Sequence, residues 1–191
     1  MTEGDGQPLL RAGPYDLWRP TAADHPDLHA LTLDPAMRRF LGGHQPNEGD
    51  SFARLYRNAG SWALHGYGTL MVRETGRPEL VGHCGVFRSW RGLPGLNDVA
   101  EAGWIIGQDW WGRGVATQVM TTVLDWFDRS HGRQRIACMI EQGNVASERV
   151  AARLGFVPYH EHTGETGTVV VLYERLPLTR RPSPMGIRIR E

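Results

Sequence analysis

Cysteine is scarce in this chain. Only Cys84 and Cys138 occur among 191 residues, inside the apolar runs LVGHCGVF and RIACMI, which read as strands. That setting argues for buried free thiols, since a chain of this length requires no disulfide for stability. Excess charge of either sign is also missing, because 21 Lys and Arg balance 21 Asp and Glu. No overall field recruits nucleic acid or an anionic membrane, so neither is expected as a partner and any anion site must be local. No apolar run approaches membrane-spanning length. The start, MTEGDGQPLL, has neither the basic segment nor the apolar stretch of a signal peptide, so the expected location is cytoplasmic. A GxSxG nucleophile elbow and an obvious Cys/His arrangement are absent, which removes the usual signs of covalent catalysis. Eight histidines are present, but His25/His29 and His160/His162 each lack a third ligand, so no metal is expected.

What is present suits one α/β domain. Residues 1–9 form a polar, Gly-containing lead, 10–176 the domain, and 177–191 a tail rich in Pro and Arg. YDLWRP reads as a strand, TAADHPDLHALTL and DPAMRRFL as short helices with Thr21, Asp24 and Asp34 as caps, and Asp50 to Arg57 as a further helix. TLMVRE and ELVGHCGVF flank a Gly76-Arg77-Pro78 turn as a hairpin, and RSWRGLPGLN follows as loop before the strand VAEAGWIIG. The helix from Val115 places Val119, Met120, Val123, Leu124 and Phe127 on one side and Thr117, Gln118, Thr121 and Asp125 on the other, ending at Gly132. RIACMI is then a buried strand, and NVASERVAARLGF a helix capped by Asn144 with Gly155 just past its end. Closing strands are expected over Val157 to His162 and Thr168 to Arg175.

DWWGRGVATQVM joins the strand VAEAGWIIG to the long helix. A strand that turns through glycines into a helix leaves the first helical N–H groups unpaired and parallel, where the helix dipole favours an anion. Gly112 and Gly114 permit positive φ and present no Cβ to a ligand. Phosphate or pyrophosphate is the natural guest. A nucleotide-triphosphate loop is a poor match, because Arg113 and Gly114 stand where lysine and a metal-binding hydroxyl belong. The dinucleotide fingerprint fails at Thr117, and no acid ends RIACMI to hold a ribose. An ordinary strand-to-helix turn remains the alternative.

The turn does not stand alone. With NVAS and LGF downstream and EAGWII before it, Trp111-Gly112-Arg113-Gly114-Val115-Ala116 resembles the acyl-CoA loop of the GCN5-related N-acetyltransferase (GNAT) family, of form Q/R, x, x, G, x, G/A. Tryptophan at the first position departs from that form. The likeness is to the RimJ/RimL-type branch, which acetylates protein N-termini and related amines. It implies a mixed sheet of about seven strands flanked by about four helices, acetyl-CoA as acyl donor, an amine-bearing acceptor and a tendency to form homodimers. The runner-up acceptor is a small molecule such as an antibiotic or polyamine. An acyl-CoA-binding regulatory protein without turnover is the alternative outside enzymes.

The resemblance also carries residue roles. Backbone N–H groups from Gly112 to Ala116 take the pyrophosphate, and Trp104, Ile105 and Ile106 pair with the pantetheine amides. Arg113, Arg149 and Arg153 either add charge toward the phosphates or are solvated helix arginines. Asn144 caps its helix and contacts the pantetheine. Glu101 is either the general base or a strand-edge residue. The tyrosine that many members place four residues before their Gly-Phe falls on Ala151, which leaves Ser147 as the first substitute general acid and Tyr159 as the second. Phe40, His44, Phe87 and Trp90 either line the acceptor pocket or pack in the core.

Overall fold

The computed structural model describes residues 6–40 and 45–177. Strands β1 (Leu10–Ala12) and β2 (Tyr15–Trp18) make an opening hairpin and are followed by α1 (His25–Leu33), α2 (Pro35–Arg38) and α3 (Glu48–His65). Strands β3 (Thr69–Glu74), β4 (Leu80–Trp90) and β5 (Asn97–Ile106) then run antiparallel to one another. After α4 (Val115–His131) come β6 (Ile136–Glu141), α5 (Val145–Arg153), β7 (Val157–Thr163) and β8 (Val169–Arg175). The sheet order is β1-β2-β3-β4-β5-β6-β8-β7. These eight strands among the described residues exceed the expected seven through the short β1; the five α-helices match the segments read from the sequence and exceed the about four that the family resemblance implies, with the fold class unchanged.

Period-two alternation sorts the strand residues between two faces. One face, with Leu17, Leu70, Val72, Cys84, Val86, Ala100 and Ala102, packs against Val115, Val119, Met120, Val123, Leu124 and Phe127 of α4. Phe127 is fully buried, and truncating it to alanine would cost about 3–5 kcal/mol. The opposite face carries α1 and α3, whose Leu28 and Leu55 close over Met71 of β3. Both cysteines are buried free thiols, and burial pushes each thiol pKa up.

Local chemistry sets the helix ends. Asn47 and Asp50 form a reciprocal capping box at the start of α3, and Gly66 ends the helix in the left-handed region at φ 73°. The helix is thus longer than the expected Asp50 to Arg57. Asp34 caps α2 by accepting from the Ala36 N–H at 2.8 Å. Asp24 does not cap α1; its carboxylate accepts from Thr21 and from Arg73 instead. The expected loop after Phe87 is partly strand, since β4 continues to Trp90 and pairs there with Asn97.

Strands β5 and β6 are the only parallel neighbours among the described strands, which is why a crossover helix, α4, joins them. Their pairing is brief. Ala100 faces Ile136 and Glu101 faces Ala137, and no further pair forms. From Ala102 to Ile106 strand β5 stays bonded to β4 on one side and is open on the other.

Candidate active site

The turn ahead of α4 is built almost entirely from main chain. Gly107 N–H donates to the Val81 carbonyl at 2.8 Å, a 3-10 turn covers Gln108–Trp110, and the Trp111 indole donates to the Ile106 carbonyl at 2.6 Å. Gly112 and Gly114 take φ of 72° and 77°. A Cβ at either would meet nothing within 4 Å, so backbone conformation, and not crowding by the protein, calls for glycine there. Gly114 is the N-cap of α4 and offers no capping side chain. The first helical bond runs from Gln118 N–H to the Gly114 carbonyl at 3.0 Å. The N–H groups of Gly112 through Thr117 therefore have no acceptor among the described residues. They sit at the positive end of a 17-residue helix. The Thr117 hydroxyl is buried beside them without a partner. Its helical position reads as outward-facing in sequence. Arg113 stands over the Trp110 ring at 5.3 Å, so its charge stays by the turn. Arg149 and Arg153 are exposed on α5.

One step away lies the split between β5 and β6. Its open edge presents the outward-facing half of the backbone groups from Ala102 to Ile106, a short ladder for an extended chain that carries amides. The Ile106 carbonyl is already engaged by Trp111 and the groups of Ile105 face His83 on β4, leaving those of Trp104. Trp104 reaches α5, donating its indole N–H to the Ser147 hydroxyl oxygen at 3.3 Å. Because an indole only donates, Ser147 must accept, and its own hydroxyl proton remains available. Asn144 Oδ1 accepts from the Ser147 N–H at 3.1 Å, so the cap is formed and the Asn144 amide NH₂ is unspent. Ala151 is fully buried in the core and Gly155 follows at φ 82°. Tyr159 lies apart: its phenol donates to the Pro94 carbonyl at 3.0 Å, and Arg135 covers its ring. That bond commits the phenol proton elsewhere and takes Tyr159 out of the acid role.

The face opposite α4 holds Glu101, which is 2% exposed. It is not an edge residue, because β5 pairs with β4 at Phe87 and with β6 at Ala137 on its two sides. Arg91 grips the carboxylate with Nε on Oε2 at 2.9 Å and Nη2 on Oε1 at 2.8 Å. The Ser89 hydroxyl donates to Oε2 as well. This hydrogen-bonded pairing with Glu101 raises the Arg91 pKa. Phe87 is half-buried opposite Glu101, with the Arg91 guanidinium 6.0 Å from its ring. Phe40 is half-buried under Arg39, Trp90 is 75% exposed at the end of β4, and His44 lies outside the described residues. Of the three expected lining residues that are described, Phe87 alone is brought next to Glu101.

The same face contains residues that motif reading did not single out. His83, opposite Ile105 on β5 and Met71 on β3, is 5% exposed, and neither ring nitrogen has a partner. Burial, with the nearby Arg54 charge, lowers its pKa to about 3. Its strand phase matches that of Phe87 and was the one signal available. Among the described residues no group of three or more His, Cys, Asp or Glu could hold a metal, and no helix is long and apolar enough to cross a membrane.

Comparison with known proteins supplies the frame for this arrangement. The uncharacterized protein YkkB of Bacillus subtilis (strain 168) is 30% identical over 115 residues, covering 58% of this chain and 63% of that relative. The chain thus spans somewhat less than two thirds of the curated relative it matches. A putative GnaT-family acetyltransferase from Bordetella pertussis superposes with a TM-score of 0.78 at 29% identity, covering 87% of this chain and 98% of that one. RimL, a ribosomal L7/L12 alpha-N-protein acetyltransferase in complex with coenzyme A, superposes with a TM-score of 0.68 at 18% identity, over 86% of this chain and 95% of that one; at that identity it shares the fold. The model of the acetyltransferase (GNAT) domain matches residues 17–157. That span runs from β2 to the start of β7 and takes in the glycine turn, the strand split and the Glu101 face, so this chain belongs to the GNAT acetyltransferase family.

Proposed function

We propose that the protein is an N-acetyltransferase that moves the acetyl group of acetyl-CoA to a primary amine, a protein N-terminus or a related amine, by direct attack within a ternary complex. The observation that carries this reading is the run of unsatisfied N–H groups from Gly112 to Thr117 at the start of α4, adjoining an open strand edge. A diphosphate would satisfy those donors in the field of the helix. Gly112 and Gly114 leave space for it, and the orphaned Thr117 hydroxyl adds one more donor. The open backbone of Trp104 suits an amide of a pantetheine arm, with Asn144 Nδ2 as a further donor.

The chemistry then needs little from the protein. The amine lone pair attacks the thioester carbonyl, a C–N bond forms and the C–S bond breaks. The thiolate takes a proton from water relayed through the Ser147 hydroxyl, which donates its hydrogen as it regains one from solvent and whose oxygen is positioned by the Trp104 indole. The proton shed by nitrogen goes to Glu101 directly or through water. Oε1 of Glu101 accepts only from Arg91 and keeps a lone pair, whereas Oε2 accepts from both Arg91 and Ser89. An α-amine near pKa 8 is about a tenth neutral at pH 7, against about one in 2,500 for a lysine amine, which favours an N-terminal acceptor over a lysine.

The test is to follow thiol release from acetyl-CoA with a panel of peptides, polyamines and aminoglycosides. Release that depends on an acceptor supports the transferase. Tight CoA binding with no acceptor turned over would replace it with a binding protein, and peptide turnover against polyamine turnover decides between the two acceptor classes.

A further inference from the structure

A cleft of about 270 Å³ opens between α2 and α3, with Arg38, Arg54, Arg57, Asp50 and Thr32 in its wall. We propose that this cleft binds an oxyanion group, carboxylate or phosphate, carried by the acceptor whose amine is acetylated. The inference rests on the acetyl-transfer reading and narrows its substrate class to amines that bear a negative charge.

The first argument is the state of the arginines. The chain has no lysine, so all 21 of its basic side chains are arginine, a group that cannot shed its charge when buried. Four other half-buried arginines are matched to carboxylates. Arg73 pairs with Asp24 at 2.7 Å, Arg88 with Asp98 at 2.8 Å, Arg135 with Glu174 at 2.6 Å, and Arg175 grips Asp128 with two bonds. Arg54 is different. It is half-buried and has no hydrogen bond or ion pair with any described residue. Burial and the like charges of Arg57 and Arg91 lower its pKa, against a lesser opposing pull from Asp50. Asp50 is itself engaged in the α3 capping box with Asn47. Across the cleft, Arg38 spends Nη1 on Gln45 at 3.3 Å, while its Nε is buried with no partner. Arginines that line one concavity with no carboxylate paired to them offer it positive charge and donors that an anion would meet.

The second argument comes from a buried ring beside the arginines. His83 lies on the sheet face that α1 and α3 cover, close enough to Arg54 to feel its charge, and both of its ring nitrogens are buried and unpartnered. A neutral imidazole there can donate one hydrogen bond and accept another, yet the protein satisfies neither. Burying a polar ring without partners is unusual in a native core unless something else meets it. The cleft is also electrostatically linked to the Glu101 face. Arg54 acts electrostatically on Arg91, and Arg91 holds Glu101 beside the open edge of β5. An acceptor anchored by its anion in the cleft would extend its amine along the same face toward that edge.

The experiment uses matched acceptors: an aminoalkyl carboxylate, an aminoalkyl phosphate, and the amide and alcohol of equal length. Thiol release is followed for wild type, Arg54→Met and Arg54→Lys, with CoA affinity measured by calorimetry for all three. The expected result is that one charged member exceeds its neutral partner in kcat/KM by about 10²-fold. Arg54→Met should remove that preference, Arg54→Lys should keep part of it, and CoA affinity should stay the same in each. Which charged member wins separates carboxylate from phosphate. Equal use of charged and neutral acceptors, or a preference that survives Arg54→Met, overturns the proposal. Should no acceptor turn over, inorganic phosphate and propionate are titrated into the CoA-loaded protein while the arginine Nε–Hε NMR signals are recorded. Shifts lost in Arg54→Met support the anion site, and unmoved signals overturn it. Failure of wild type to bind CoA sinks the transferase reading instead, and the same titration on the free protein then decides the cleft.

Discussion

At the start of α4 negative charge would be met by main-chain N–H groups, whereas between α2 and α3 it would be met by arginine side chains. The difference lies in what each region demands of the sequence. The first asks for glycine at two positions of positive φ and for a helix to follow; almost any other side chain would serve around them. The second asks for Arg38, Arg54 and Arg57 on two separate helices, brought together only because α3 folds across the sheet. A main-chain site is rigid and general, suited to a donor shared by many relatives. A side-chain site is specific, and suited to an acceptor that differs from one relative to the next.

The largest expected effect breaks the main-chain region. Gly114→Val forces a β-branched residue into the left-handed region at φ 77°, at a cost of about 1–2 kcal/mol to folding, and sets a Cβ against the phosphate site. CoA affinity should fall at least about 10²-fold while the variant stays folded, read by calorimetry and thermal unfolding. Retained affinity in a folded variant would remove the site.

Next comes Glu101→Gln, which sharpens the side-chain region. It turns the buried pair with Arg91 into a lone guanidinium, with about 2–4 kcal/mol lost in denaturant unfolding, somewhat below a fully buried pair because Arg91 is partly exposed. Turnover at neutral pH should drop about 10²-fold if Glu101 receives the amine's proton. A base role predicts that the loss shrinks as pH rises and the amine deprotonates unaided. A loss independent of pH assigns Glu101 to holding Arg91 alone.

A smaller effect is expected between the two regions. Ser147→Ala takes the acceptor from the Trp104 indole and the proton from the thiolate, and kcat should fall about 10- to 10²-fold with CoA affinity little changed. An unaltered kcat leaves Ser147 as a helix-start residue only.

The smallest effect is on stability against pH. His83 titrates near 6.5 in the unfolded chain and at about 3 in the folded one. As pH falls between those values the unfolded chain binds a proton that the native state refuses, so stability is full above about 6.5 and declines below it. His83→Leu should flatten that acid limb by up to about 1.4 kcal/mol per pH unit, seen by comparing denaturant midpoints at about pH 7 and about pH 4.5. Parallel limbs in the two proteins would mean that His83 is not buried as a neutral ring.

How much of this could be read from the residues follows the same division. The glycine turn, α4 with its apolar side, and the Asn144 cap were legible because each is a local pattern set by backbone geometry. The full length of α3 was not, since Phe52, Tyr56 and Leu64 remain exposed and blur its apolar stripe. Glu101 was found by position, but its bidentate partner Arg91 sits beyond the end of β4, where loop was expected, and only the strand's continuation brings the two together. The charge of Arg54 on α3 reaches His83 on β4. Nothing in their spacing announces that, because packing of α3 on β4 brings the two near each other rather than any local period.

A crystal structure with coenzyme A bound tests the central claim most directly. The account expects the diphosphate oxygens within hydrogen-bond distance of the N–H groups of Gly112 to Thr117, with the thiol end in the split between β5 and β6. A diphosphate seated anywhere else, with those N–H groups still open to solvent, would contradict it.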